Sequence, residues 1–143
     1  MSDVVSCPQC GKRNRVPASA AGKPRCAHCQ TWLPWIVNAG DADYGTVVDQ
    51  AAVPVLVDLW APWCGPCRMV SPALEQLAGE FAGRLKLVKI NVDDAPQTSQ
   101  RLSVQAVPTL LITRGGKIFA RRAGAAPVAA LRVWLEETLA AGS

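Results

Sequence analysis

The chain has 143 residues, of which 50 % are hydrophobic and 18 % charged, with a net charge of +4. This composition allows one domain with a full hydrophobic core plus a small appendage, and it excludes an intrinsically disordered chain. Residues 1–10 lack the basic start and apolar stretch of a secretory signal, and the longest apolar run, 51–63, is interrupted by Asp58 and two prolines. We therefore expect a cytoplasmic protein without a membrane partner. The small positive charge, without interleaved aromatic residues, does not predict nucleic acid as a partner.

All six cysteines occur in Cys-x-x-Cys pairs, and fifteen residues separate the first two pairs. These pairs are Cys7/Cys10 and Cys26/Cys29. Four thiolates presented by two short turns are typical of a closed, structural Zn²⁺ site. The alternative is a pair of disulfides, which a reducing compartment disfavours. His28 lies between two of these cysteines and is an alternative ligand, since structural sites also accept three cysteines and a histidine.

Residues 1–34 contain few large apolar side chains, so we expect this zinc-binding module to fold largely through metal ligation. A connector over 31–43 follows, with two tryptophans that we expect to pack on the main body. Within this connector, the stretch from Trp35 to Val37 is a candidate strand. Weak helical character follows over 43–50. The candidate N-caps of that stretch are Asp41 and Asp43.

Strand and helix patterns alternate over the rest of the chain. Pro66 opens a long amphipathic helix that continues past Pro72, where we expect a kink. Its predicted apolar face consists of Met69, Val70, Ala73, Leu74, Leu77, Ala78 and Phe81. Gly115 and Gly116 predict a hairpin between the last two strands. The other predicted elements are strands at 53–60, 85–92, 107–113 and 117–122 and helices at 96–102 and 127–139.

This order of elements predicts an α/β fold in which helices flank a mixed central sheet. A βαβ half is followed by a ββα half. We expect a zinc-binding module at 1–34 and an α/β domain at 35–143.

The third cysteine pair, Cys64 and Cys67, lies where an apolar strand ends and the long helix begins. A helix N-terminus stabilises a thiolate, so Cys64 is the candidate nucleophile, and we expect it to be exposed. Cys67 lies inside the first helical turn, where we expect it to be more buried, and it can attack a mixed disulfide formed by Cys64. The pair is therefore predicted to be a redox-active disulfide.

Residues 57–68, Val-Asp-Leu-Trp-Ala-Pro-Trp-Cys-Gly-Pro-Cys-Arg, resemble the active-site region of thioredoxins. Residues 106–109, Ala-Val-Pro-Thr, resemble the cis-proline loop of that family. The resemblance covers about residues 36–140 and implies a thioredoxin fold for 35–143. Together with the N-terminal cysteines, it extends to the zinc-binding thioredoxin-2 group of bacterial proteins.

The resemblance implies further roles around the dithiol. Asp58 is the only charge in its strand and would accept the Cys67 proton through water, although a purely structural aspartate is the alternative. Lys89 matches a lysine near that aspartate, or is simply a solvent-facing lysine. Pro108 would be cis and form a wall of the site, and Trp60 would support the loop through packing. The docking surface for an extended substrate would consist of Trp63, Val92, Val107 and Gly124.

The expected function is a monomeric protein-disulfide reductase that acts on oxidised protein substrates and is recycled by an NADPH-dependent thioredoxin reductase. The alternative is a redox-responsive chaperone or sensor that releases zinc on oxidation, because cysteine thiolates are oxidisable. The absence of a signal and the proline between the cysteines disfavour a third function, disulfide formation or isomerisation.

Overall fold

The computed structural model describes residues 4–18 and 23–141. In chain order the strands are β1 (Val4–Ser6), β2 (Arg13–Arg15), β3 (Trp35–Asn38), β4 (Val55–Trp60), β5 (Lys86–Asn91), β6 (Thr109–Arg114) and β7 (Lys117–Ala123). The helices are α1 (Gly65–Glu80), α2 (Pro96–Arg101) and α3 (Val128–Ala141), with a single π-helical turn at Gly45–Asp49. Within the described ranges, none of the helices combines the length and hydropathy needed to span a membrane.

Five strands form one mixed sheet in the order β3-β5-β4-β6-β7. The three strands β3, β5 and β4 are parallel, whereas β6 runs antiparallel to β4 and β7 antiparallel to β6. Apolar clusters cover both faces of the sheet, as expected for parallel strands rich in valine and leucine. The predicted α/β class with a mixed sheet and flanking helices is confirmed.

Helix α1 begins one residue before Pro66 and runs unbroken through Pro72. Most of its predicted apolar face is buried, namely Val70, Leu74, Leu77 and Ala78. Met69 is the exception, because its side chain is 77 % exposed and its assignment to that face was wrong. Each residue turns the helix by about 100°, so Met69 points away from the sheet that its neighbour Val70 contacts.

The predicted hairpin is confirmed, with Arg114 paired to Lys117 across a two-residue turn. Both turn residues have positive φ, +58° at Gly115 and +82° at Gly116, which is the backbone that favours glycine.

The predicted N-caps of the stretch at 43–50 are wrong. Asp43 Oδ1 accepts instead from the Gly40 backbone N–H, at 2.8 Å. Asp41 stabilises a different helix, α2, whose Thr98 backbone N–H and hydroxyl both donate to its Oδ1 at 2.7 Å. The first turn of a helix presents free backbone donors, and α2 offers them within reach of Asp41.

The N-terminal segment packs into the main core. Strands β1 and β2 form a small antiparallel ribbon, and Cys7, Val16, Cys26 and Leu33 are buried in the same cluster as Trp35. Metal ligation was expected to supply most of the folding free energy of this segment, and the main domain also supplies part of its hydrophobic core.

Lys86, the first residue of β5, ties this segment to the domain. It is fully buried, its Nζ donates to the Ala18 and Val47 carbonyls at 2.5 and 2.6 Å, and burial lowers its pKa to about 8. The segment thus meets the sheet where the parallel strands begin, whereas Cys64 follows the end of β4. A six-residue strand spans about 20 Å, so the contact of Lys86 with Ala18 lies at the opposite end of the parallel strands from the dithiol.

Candidate functional site

The third cysteine pair forms a disulfide at the N-terminus of α1. Cys64 is the N-cap, and its Sγ accepts a hydrogen bond from the Cys67 backbone N–H at 3.1 Å. The two residues are bonded through sulfur, with their Cα atoms 5.3 Å apart. A free helical N–H and the positive end of the helix dipole both favour negative charge on Cys64 Sγ once the disulfide is reduced.

Both cysteines are buried, with 4 % of Cys64 and 3 % of Cys67 exposed. The expected exposure of Cys64 is therefore wrong, whereas Cys67 is buried as expected. In the disulfide both sulfurs pack against Ala61, and Cys64 Sγ lies 3.5 Å from the Val107 carbonyl oxygen.

The loop before β6 contributes the second wall of the site. The Val107–Pro108 peptide bond is cis, which confirms that prediction. The Pro108 carbonyl accepts a hydrogen bond from Gly124 N–H at 2.9 Å, and Gly124 has a φ of +87°. The Val107 carbonyl thus lies beside the sulfurs, while Gly124 supports the loop from the neighbouring strand end.

A groove of about 260 Å³ runs along this wall, and Trp63, Val92 and Val107 line it. The structure therefore brings three of the four predicted docking residues together, whereas Gly124 does not line the groove and donates to the Pro108 carbonyl. Trp63 is 68 % exposed, and its indole Nε1–H donates to Asp93 Oδ2 at 3.1 Å. Asp93 was not predicted as part of the site, because it is an exposed aspartate whose partner Trp63 lies thirty positions away.

Asp58 lies beneath the dithiol in β4 and is almost completely buried. Its Oδ1 has no hydrogen-bond partner among the described residues. Desolvation raises the pKa of Asp58 to about 6, against an opposing effect of the Lys89 charge and with a smaller contribution from Glu75. A carboxyl group with this pKa can exchange protons near neutral pH.

A cavity of about 150 Å³ connects Asp58 with Cys67. It is lined by Asp58, Trp60, Ala61, Pro62, Cys67, Arg68, Ser71 and Lys89. This volume accommodates water, and its polar lining offers hydrogen-bond partners. The unpartnered Asp58 carboxylate and Cys67 therefore face one shared space.

Lys89 is the cross-strand neighbour of Asp58 in the β4–β5 ladder. Its ammonium is held from the helix side, since Nζ donates to Ser71 Oγ at 2.7 Å and lies 3.3 Å from Glu75 Oε2. Ser71 and Glu75 were not predicted as part of the site from the sequence. Their spacing of four residues on one helix was the available signal.

We expect Asp58→Asn to stabilise the folded protein in a pH-dependent way. The folded pKa of about 6 lies above the ordinary value of 3.8, so ionisation favours the unfolded chain as the pH rises from 4 to 6. Two pKa units correspond to about 3 kcal/mol above pH 7, and the gain should vanish below pH 4, where both states are protonated. The measurement is urea unfolding of the oxidised variant and wild type at pH 4 and pH 8.

Asp94→Asn is the matched control, because this aspartate is exposed. It should change the free energy of unfolding by less than about 0.5 kcal/mol at either pH. Equal stability of Asp58→Asn and wild type at pH 8 would contradict the burial argument.

The four N-terminal cysteines form a second cluster. Their sulfurs all lie within 4.8 Å of one another, with 3.5 Å between Cys7 and Cys29 and 3.6 Å between Cys10 and Cys26. None of the four is in a disulfide. A tetrahedral site with Zn–S bonds of 2.3 Å places its sulfurs about 3.8 Å apart, so the cluster fits a zinc ion. His28 is exposed and lies outside the cluster, which favours the four-cysteine ligand set.

The two cysteine turns have the same backbone pattern. Gly11 N–H donates to the Cys7 carbonyl and Gln30 N–H to the Cys26 carbonyl, each at 2.9 Å. The φ values are +78° at Gly11 and +69° at Gln30. The missing glycine of the second turn is therefore replaced by a glutamine that adopts the same left-handed conformation.

Donors around Cys26 favour its thiolate form. The Cys29 backbone N–H and the Asn14 side chain, the latter 3.5 Å from Cys26 Sγ, lower the pKa of Cys26 to about 6. Asn14 Oδ1 also accepts from the Ala27 backbone N–H at 2.9 Å, which links β2 to the second cysteine turn. A deprotonated, preorganised sulfur is the form that a metal ion binds.

Comparison with known proteins agrees with this geometry. The sequence profile of the Thioredoxin family matches residues 35–137. A thioredoxin of Haemophilus influenzae is 47 % identical over 92 residues, covering 64 % of this chain and 86 % of that protein. A thioredoxin of Acidithiobacillus ferridurans is 41 % identical over 104 residues, covering 73 % and 96 %. The chloroplastic M-type thioredoxin of Chlamydomonas reinhardtii is 36 % identical over 134 residues, covering 90 % and 96 %.

The matched region contains the whole five-stranded sheet, the three helices up to residue 137, the dithiol and the cis-proline loop. The predicted thioredoxin fold is confirmed. The chain belongs to the thioredoxin family and is a thiol–disulfide oxidoreductase.

Proposed function

We propose that the protein is a protein-disulfide reductase of the thioredoxin-2 type, acting on oxidised proteins through Cys64 and Cys67. The observation that carries the proposal is the Cys64–Cys67 pair at the start of α1, connected by a cavity to an unpartnered, buried carboxyl group. The alternative role of Asp58, a structural aspartate satisfied by local hydrogen bonds, is disfavoured because its Oδ1 has none among the described residues.

Reduction begins with the dithiol form. The Cys64 thiolate attacks one sulfur of a substrate disulfide, which forms a mixed disulfide and releases the other substrate sulfur as a thiolate. Cys67 then loses its proton and attacks Cys64 Sγ. The Cys64–Cys67 disulfide forms, and the second substrate sulfur leaves. Two electrons and two protons pass in total to the substrate, which becomes a dithiol.

Asp58 accepts the Cys67 proton through water in the shared cavity. With a pKa of about 6, the carboxyl group is mostly ionised at neutral pH and can return the proton without a large energy difference. This proton transfer belongs to the second step, because Asp58 faces Cys67 through the cavity and does not line the groove at Val107.

An extended substrate segment docks along the groove at the cis-proline loop. The indole of Trp63 and the side chains of Val92 and Val107 offer apolar contact, and the Val107 backbone offers hydrogen bonds, as in strand addition to a sheet edge. Pro108 and Gly124 keep that backbone in place.

We also propose an electron donor, an oligomeric state, a compartment and a structural metal. An NADPH-dependent thioredoxin reductase regenerates the dithiol of a monomeric protein in the cytoplasm. A structural Zn²⁺ is held by four thiolates, those of Cys7, Cys10, Cys26 and Cys29. The ion would stabilise the fold by cross-linking the chain. It would supply no reaction chemistry, since four protein ligands leave no open position.

The test is insulin reduction, followed by the turbidity of the released B chain. The zinc-loaded protein, with either dithiothreitol or NADPH and thioredoxin reductase as electron source, should accelerate the reaction in proportion to its concentration. No acceleration over dithiothreitol alone would reject the reductase function, and acceleration with dithiothreitol only would reject the reductase partner.

The cysteine cluster favours a second candidate, a sensor that releases zinc on oxidation. Its four sulfurs are close enough to pair once the metal leaves, and the cluster lies away from the dithiol. Hydrogen peroxide should then release zinc from the Cys64→Ser variant and enable it to suppress aggregation of an unfolded client. Release without such suppression would leave the cluster a structural site.

A further inference from the structure

Hydrogen bonds join Ser71 and Glu75 of α1 to Lys89 of β5. Ser71 and Lys89 line the cavity that connects Asp58 with Cys67. Ser71 Oγ is 2.7 Å from Lys89 Nζ and donates to Glu75 Oε2 at 3.1 Å, while that same carboxylate oxygen lies 3.3 Å from Lys89 Nζ. The ammonium therefore has two acceptors on the helix. The lysine that is paired with Asp58 across the sheet thus forms its side-chain hydrogen bonds with the helix.

The register of the sheet shows why the helix-side partners of Lys89 matter for Asp58. Asp58 and Lys89 are directly opposite in adjacent strands, which places their side chains on the same face and near each other. Among the described residues, the lysine forms its one ion pair with Glu75, and Asp58 Oδ1 remains without a hydrogen bond. A flexible lysine next to an unpaired buried carboxylate would ordinarily turn toward it, because opposite charges attract strongly where water is scarce.

We propose that Ser71 and Glu75 are positioning residues that hold the Lys89 ammonium on the helix side of the cavity, so that Asp58 stays free to accept the Cys67 proton. This inference rests on the proposed role of Asp58 as proton acceptor. It assigns the reactivity of that carboxyl group to two residues that touch neither the sulfurs nor the substrate groove.

The charged groups around Asp58 are few. The cavity brings Lys89 from β5 and Cys67 and Arg68 from α1 toward it, and Glu75 lies behind the lysine. Arg68 is engaged elsewhere, since its Nη2 donates to the Pro62 carbonyl at 2.8 Å. Strand β6 places Leu110, which has no charge, opposite Asp58. Lys89 is therefore the charge whose position can most readily change the proton affinity of Asp58.

Stability does not explain the cluster. The Glu75 side chain is half-exposed, and an exposed ion pair of this kind contributes little to folding because water screens it. Because the pair contributes so little to stability, its substitution should leave the fold intact and its effect should appear in the titration of Asp58.

The test measures the pKa of Asp58 by ¹³C NMR of its carboxyl carbon in Glu75→Gln, Ser71→Ala and wild type. Glu75→Gln removes the charge that retains Lys89, so the ammonium should turn to Asp58 and lower its pKa by about one unit. Ser71→Ala should lower it less, because Glu75 remains. Glu80→Gln is the matched control, since Glu80 is on the same helix but pairs with Arg132 and should leave the Asp58 pKa unchanged.

A double-variant cycle shows whether Glu75 acts through the lysine. Lys89→Met alone should raise the pKa of Asp58, and in that background Glu75→Gln should lose more than half of its effect. An unchanged or raised Asp58 pKa in Glu75→Gln would overturn the proposal, as would an equal effect with and without Lys89. Carboxyl titration requires no turnover, so these outcomes are separate from a failure of the reductase function in the insulin assay.

Discussion

Cys64→Ser should abolish catalysed insulin reduction, with a loss of at least about a thousandfold, within the range that removal of a nucleophile costs other enzymes. A serine hydroxyl at this position remains protonated near neutral pH and cannot form a disulfide. The helix N-terminus and the Cys67 backbone N–H, which stabilise the Cys64 thiolate, would then have no ionised sulfur to act on. The initial rate of turbidity with dithiothreitol measures the loss.

A serine substitution on the same helix provides the control. Met69→Ser changes an exposed side chain outside the groove and the cavity, so the variant should retain its activity. Turnover retained in Cys64→Ser would mean that another thiol performs the attack. Equal loss in both variants would point to damage to α1 instead of removal of the nucleophile.

Removal of zinc should lower the thermal midpoint of the protein by more than about 10 °C, since each kcal/mol shifts the midpoint of a domain of this size by about 3 °C. Structural zinc in small modules has apparent binding free energies of about 10–16 kcal/mol. The loss should affect the whole domain, because Cys7 and Cys26 belong to the same buried cluster as Trp35 and Val47. Tryptophan fluorescence before and after chelation, and after zinc is restored, measures it.

Two single variants distinguish a proposed zinc ligand, Cys29, from the neighbouring residue His28. Cys29→Ser should lose the zinc and show the low midpoint without any chelator. His28→Ala should keep one zinc per chain and unfold within about 2 °C of wild type, because His28 is exposed and outside the cluster. A midpoint that chelation does not change would contradict a structural role for the metal.

Local sequence patterns predicted the domain well because its elements carry strong local signals. Pro66 and the apolar period locate α1, and the glycines at 115 and 116 locate the hairpin. Met69 was assigned to the apolar face because of its apolar side chain, although it lies about 100° around the helix from the buried Val70. The partner of Asp41 could not be predicted, since it lies 57 residues away on α2.

The site shows the same division between local and long-range information. The spacing of the cysteines predicted the four-sulfur cluster and the dithiol. Sequence alone did not reveal that Cys64 is buried, because its burial comes from the loop at Val107. The cluster of Ser71, Glu75 and Lys89 depends on the packing of α1 over β5, and its place beside Asp58 depends on the register between β4 and β5.

The most direct test of the proposed mechanism is to trap its intermediate. In the reduced Cys67→Ser variant the attacking thiol remains and the resolving thiol is gone, so a mixed disulfide with oxidised insulin should accumulate. Peptide mass spectrometry of the non-reduced complex should locate the bond at Cys64. A bond to Cys7, Cys10, Cys26 or Cys29, or no stable complex at all, would contradict the assignment of Cys64 as the nucleophile.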